Sequence, residues 1–120
     1  MFEAEIAAGP LIDFGRLESA VEAAFAGIGD QEFYPTLIQK AARLAYGISE
    51  AQAFQDGNKR LAWMTAVVFL ESNGVQLDVD QTEAAHMIRA VGSRMATLEQ
   101  LTEWFACCAL PDVEMPQFSL

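Results

Sequence analysis

Along most of this chain apolar residues return every three or four positions, the spacing that gathers them on one face of an α-helix. Leu17, Val21, Ala24 and Phe25 form the first stripe and predict a helix from Arg16 to Ala26. Gly27-Ile28-Gly29-Asp30 reads as its stop, since glycine ends helices readily. Beyond the connector Phe33-Tyr34-Pro35, a second helix is predicted from Thr36 to Ala53, with Pro35 and Thr36 as its start signal. Leu37, Ala41, Leu44 and Ile48 make its stripe, while Gln39, Lys40 and Arg43 fall opposite. The third pattern, Asn58 to Ser72, has few polar residues after its first turn. A helix apolar on nearly every side is expected to be buried on nearly every side. Trp63, Met64, Val67, Val68, Phe69 and Leu70 are thus its core candidates, and the other helices are expected to pack around it.

Asn73-Gly74 is a left-handed stop, and Val75 to Val79 alternates like a short extended link. Asp80-Gln81-Thr82-Glu83 resembles a capping box and opens a fourth helix reaching about Val91, with Ala84, Met87, Ile88 and Val91 inward. Gly92-Ser93 breaks the pattern, and Thr97 can cap a fifth helix that buries Leu98, Leu101, Trp104, Phe105 and Cys108. Leu11 to Gly15 reads as extended or turn-like, and residues 111–120, with Pro111 and Pro116, as an irregular tail. These patterns predict an all-α fold, a compact bundle of about five to six helices around a buried central one. The 120 residues suit a single domain, 1–120, with one real core.

Composition narrows the classes. Apolar residues make up 52% of the chain and charged residues 20%, which fits a packed globule and not a disordered chain. Seven Lys and Arg stand against seventeen Asp and Glu, a net charge of −10 that disfavours direct nucleic-acid binding. Cys107 and Cys108 are adjacent and point about 100° apart in a helix, so neither a routine disulfide nor a zinc set is expected. The lone His86 reads as a structural or surface residue. No apolar run approaches a membrane span, and the acidic opening Met1-Phe2-Glu3-Ala4-Glu5 is unlike a signal peptide, so a cytoplasmic protein is expected.

Against that acidic background one stretch stands out, Phe54-Gln55-Asp56-Gly57-Asn58-Lys59-Arg60, immediately ahead of the third helix. A glycine turn that opens a helix offers first-turn N–H groups and the positive end of the helix dipole. Lys59 and Arg60 place two of the seven cations in that turn, and Asp56 supplies a carboxylate for a divalent metal. Phosphate with Mg²⁺ is the natural guest of such a set. The plainer reading is an ordinary helix-start turn followed by solvated charge.

The stretch resembles the signature of the Fic/Doc family, His-x-Phe-x-(Asp/Glu)-Gly-Asn-(Gly/Lys)-Arg. Phe54, Asp56, Gly57, Asn58, Lys59 and Arg60 match position for position, and Lys59 is similar to the Doc (death-on-curing) toxin branch. The histidine position is Gln52, and the second arginine of Fic proteins is Trp63. The resemblance runs from about residue 13 to 109 and includes Phe69 to Val75 after the signature. It implies a small N-terminal flap at Leu11 to Gly15 covering a cleft. It implies Asp56 as the Mg²⁺ ligand, Gly57, Asn58, Lys59 and Arg60 as holders of the phosphates of ATP, and position 52 as the general base. The implied activity is kinase-like transfer of a phosphate to a hydroxyl of a translation elongation factor, by a toxin that a small antitoxin protein restrains. Glutamine cannot take a proton near neutral pH, so Gln52 implies an impaired enzyme. The alternatives are a catalytically silent module binding nucleotide or antitoxin, and AMP transfer, which Lys59 and Trp63 disfavour.

Overall fold

Five helices make up most of the described residues. Helix α1, Phe14–Ala24, starts two residues earlier than its apolar stripe suggests, because Asp13 caps it. The Asp13 carboxylate accepts from the Arg16 amide at 3.0 Å and pairs with the Arg16 guanidinium at 3.2 Å. Phe14 and Gly15, expected in an extended flap, therefore belong to a helix. The computed structural model describes residues 13–52 and 57–110, so Leu11, Ile12 and the tail 111–120 lie outside the described residues.

After α1 comes a short antiparallel hairpin, β1 (Gly27–Ile28) and β2 (Gln31–Glu32), with Gly27 opposite Glu32 and Ile28 opposite Gln31. The helix-stop reading of Gly27 to Asp30 missed it, since two-residue strands leave no periodicity. The one available signal was the two-residue Gly29-Asp30 turn. Lys40 reaches back from α2 to tie down the hairpin: its ammonium pairs with Glu32 and donates to the Tyr34 carbonyl at 2.6 Å.

Helix α2, Leu37–Ala51, opens with a capping box in which Thr36 and Gln39 satisfy each other's backbone amides. Its inner face is Ala41, Ala42, Leu44, Ala45 and Ile48, all buried. Small side chains let neighbouring helix axes come close, and among the described helices α2 alone packs on every other one. The central helix is thus α2, not the more apolar α3 (Asn58–Ser72). Helix α3 buries Leu61, Ala62, Ala66 and Leu70, while Trp63, Met64, Val67 and Phe69 are half-buried and Val68 is 49% exposed. The expectation of burial on nearly all sides fails because α2, α4 and the aromatic side chains of α5 cover only part of the helix, and the face that carries Val68 lies at the surface.

Val75 to Val79 forms the expected extended link. Leu77 bridges to Ala109, the Asp78 amide donates to Cys108 O at 2.8 Å, and the Leu110 amide donates to Gln76 O at 2.9 Å. Helix α4, Gln81–Gly92, is capped by Asp80 alone, whose carboxylate accepts from the Thr82 amide at 3.4 Å, so the reciprocal box expected with Glu83 is replaced by a simple cap. The reciprocal box is at α5, Leu98–Cys108, between Thr97 and Gln100. Trp63, Trp104 and Phe105 join α3 to α5, with Trp63 and Phe105 stacked 6.0 Å apart at 6°. Both cysteines are free, Cys107 exposed and Cys108 buried. Burial pushes the Cys108 thiol pKa up, and Glu83, Cys107 and Asp78 push it the same way. His86 is at the surface, as expected. No helix among the described residues is long and apolar enough to cross a membrane.

The burial pattern sets the cost of truncation. Phe105→Ala, removing a fully buried ring from the aromatic junction, is expected to lower unfolding free energy by about 3–5 kcal/mol. Val68→Ala at the exposed face should change it by less than about 0.5 kcal/mol. Urea denaturation of the two variants checks this, and equal losses would contradict the assignment of α3's outer face.

Candidate functional site

The site is built where α2 stops and α3 starts. Helix α2 ends at a left-handed residue, Gln52 with φ 53°, and α3 begins behind another, Gly57 with φ 82°. The first is unusual for a residue with a side chain. The second is the conformation glycine adopts at little steric cost. Gly57 provides no side-chain cap, so the positive end of the α3 dipole meets whatever lies ahead of it without a carboxylate or hydroxyl from that residue.

Gly57, Asn58, Lys59 and Arg60 are brought together in the first turn of α3, as the sequence predicts. Asn58 is buried, and Lys59 and Arg60 are exposed. Phe54 and Asp56 lie outside the described residues. Gln52, which the sequence predicts in the last helical turn, is placed just past the helix. Its Nε2 donates to Ser49 O at 2.8 Å, folding the carboxamide onto its own helix end. Arg16 also serves that end, donating to Ala51 O at 3.5 Å. Both donors meet carbonyls that the terminating helix leaves unpaired.

Lys59 and Arg60 open onto a groove of about 370 Å³ between α3 and α4. Its walls are the side of Trp63 from α3 and Ala84, Ala85 and Ile88 from α4. Gln81 stands at the amino end of α4 and Arg89 near its carboxyl end. Sequence reasoning missed the α4 wall altogether. The available signal was compositional: of the chain's seven Lys and Arg, Arg89 is the one on α4.

The position of Lys59 is set by a glycine. A methyl group built at Gly92 would lie 2.7 Å from Lys59 Cε and 3.4 Å from Ser49 Oγ. The lysine stem thus fills the space a side chain at position 92 would take, at the junction of the ends of α2 and α4. Ser49 is fully buried there, and its hydroxyl has no hydrogen-bond partner among the described residues. The arrangement can hold an anion: a helix start, two flexible cations in the same turn, and an apolar wall that lowers the local dielectric.

Two comparisons bear on this geometry. The profile of the Fic/DOC family matches residues 5–70, which includes α1, α2, the linking turn and most of α3. The chain is also similar to Toxin Doc of Mycolicibacterium smegmatis, with 38% identity over 91 residues, covering 74% of this chain and 70% of that protein.

The two glycines at the site should respond in opposite ways. Gly57→Ala forces a side chain into the left-handed region and is expected to cost about 1–2 kcal/mol. Gly92→Ala occupies an ordinary helical position and should melt within about 0.5 kcal/mol of the parent, while a structure of the variant shows Lys59 displaced. An undisplaced Lys59 would mean that Gly92 does not set its place.

Proposed function

The chain belongs to the Fic/DOC family, and on that premise we propose that it is a Doc-like toxin of a toxin–antitoxin pair, using ATP to phosphorylate a hydroxyl of a translation factor, with activity held down by Gln52. The observation that carries the reading is the 38% identity to Toxin Doc across 74% of the chain. The first turn of α3, with its two cations in an otherwise acidic protein, supports it chemically.

In this reading Gly57, Asn58, Lys59 and Arg60 hold the transferred phosphate, the backbone and helix dipole supplying fixed positive potential and the two side chains supplying charge. Phosphoryl transfer asks the protein mostly for positioning and charge stabilisation, because its transition state is loose. Mg²⁺ would neutralise phosphate charge when bound. Among the described residues there is no group of three or more His, Cys, Asp or Glu for a metal. Mg²⁺ needs no such cage: it keeps several waters and takes one or two carboxylates together with phosphate oxygens. Asp56, next to the turn in sequence, is the carboxylate we assign to it.

The missing element is a base. A carboxamide cannot accept the hydroxyl proton, and loss of a general base costs about 10²–10⁴ in rate. The bond from Gln52 to Ser49 O engages the side chain in capping, which favours a second reading: a silent module that binds nucleotide or antitoxin without turnover. Replacing the base separates the two. Gln52→His is expected to raise phosphate transfer from γ-labelled ATP to lysate protein at least about tenfold and to harm a bacterial host expressing it alone. Nucleotide affinity should stay the same, since the base acts only in the transition state. If the histidine variant folds yet remains inert and harmless, the silent module is the correct reading.

The partner we propose is a small antitoxin whose apolar helix covers Phe14 at the start of α1 and Phe25 just past its end, which are 60% and 50% exposed. Co-expression with the adjacent gene product and pull-down checks this. Phe14→Asp with Phe25→Asp should release the partner, and retention would put the interface elsewhere.

A further inference from the structure

The groove beside the proposed phosphate site has a chemistry that the turn residues do not account for. Three of the chain's seven cations line it, Lys59 and Arg60 from α3 and Arg89 from α4. Among the described residues no acid does. In a protein of net charge −10, a groove wall that gathers three of the seven cations concentrates positive charge. Neither Lys59 nor Arg89 makes a side-chain ion pair among the described residues, the only two such pairs there being Asp13–Arg16 and Glu32–Lys40. Lys59 and Arg89, brought to one groove, repel each other, and an anion between them relieves that repulsion.

Shape points the same way. Arg89 lies eight positions beyond Gln81 on the same helix, a little over two turns, so the groove is elongated along α4. Its volume of about 370 Å³ is at the small end of ligand pockets. It is far more room than the single phosphate at the Gly57 turn requires. The apolar floor of Trp63 and Ile88 lowers the local dielectric along this path, which strengthens the charge contacts of a guest at its edge.

We propose that Arg89 is a phosphate-binding residue, and that the α3–α4 groove takes the remaining linked phosphates of a polyphosphate chain whose end phosphate is held at the α3 turn. The guanidinium suits this task because its planar fork donates two parallel hydrogen bonds to phosphate oxygens. The inference rests on the proposed function for the location of the end phosphate. The ligand class is the polyphosphate itself, which either a nucleoside triphosphate or inorganic tripolyphosphate supplies.

A plainer role for Arg89 is to complement the carboxyl-end dipole of α4, in whose last turn it lies. That role would affect folding stability and leave anion affinity untouched. Isothermal titration of the full chain with ATP, tripolyphosphate, orthophosphate and adenosine tells the two apart. For Arg89→Gln we expect at least about a tenfold loss of affinity for ATP and tripolyphosphate, with orthophosphate binding changed less than about twofold. Arg89→Lys should recover part of the loss. Arg94→Gln, which removes a cation outside the groove, should leave all affinities within about twofold, and a loss there equal to that of Arg89→Gln would reduce the effect to net charge and overturn the proposal. Tripolyphosphate binding unchanged in Arg89→Gln, alongside weakened binding in Arg60→Ala, would overturn it and leave the proposed function standing. No binding of ATP or tripolyphosphate by the parent would remove both. Stronger binding of adenosine than of tripolyphosphate would make the groove a base pocket and also overturn the proposal.

Discussion

The contact on which the rest of the molecule depends is the close approach of α2 to its neighbours across small side chains. Ala41, Ala42 and Ala45 on α2 and Ala62 and Ala66 on α3 are all completely buried. Alanine buries little apolar area by itself, so the gain comes from what its size permits. Helices that approach closely bring larger residues such as Ile48, Leu61, Leu70, Leu101 and Phe105 into one continuous core. A bulkier residue at any of the alanine positions would push a helix outward and lose contacts on both of its sides, the usual cost of overpacking.

That closeness also defines the site. With α2 and α3 held together along their lengths, the end of one and the start of the other fall next to each other, and the chain must turn between them in a few residues. The turn is made with left-handed residues at both edges, Gln52 and Gly57. The exposed ends of two helix dipoles are thereby fixed by packing far from the turn itself. Arg16 and the Gln52 carboxamide answer the carbonyl end, and Lys59 and Arg60 lie in the first turn at the amino end. For the phosphate site we propose there, the core organises the geometry in advance, as preorganised electrostatic sites require.

The sequence by itself determined the helices, because helical periodicity and cap residues are local facts. The stripe Leu37, Ala41, Leu44, Ile48 and the caps Thr36 and Thr97 specify where α2 and α5 run with no knowledge of their neighbours. It also determined which residues gather at the α3 turn, since Gly57 to Arg60 are consecutive and one helical turn keeps them together. What only the tertiary structure decided is which helix is central and what faces the turn. Apolarity pointed to α3, but centrality goes to the helix with the smallest side chains on its packing face, a property that appears only when partners compete for space. The hairpin at Gly27 to Glu32 was hidden because two-residue strands exist through pairing and Lys40's reach, not through pattern. Arg89 lies 29 positions beyond Arg60 on another helix, and no periodicity links them. Packing alone puts both on one groove, because residues distant in sequence become neighbours only when the core beneath them sets the distance between their helices.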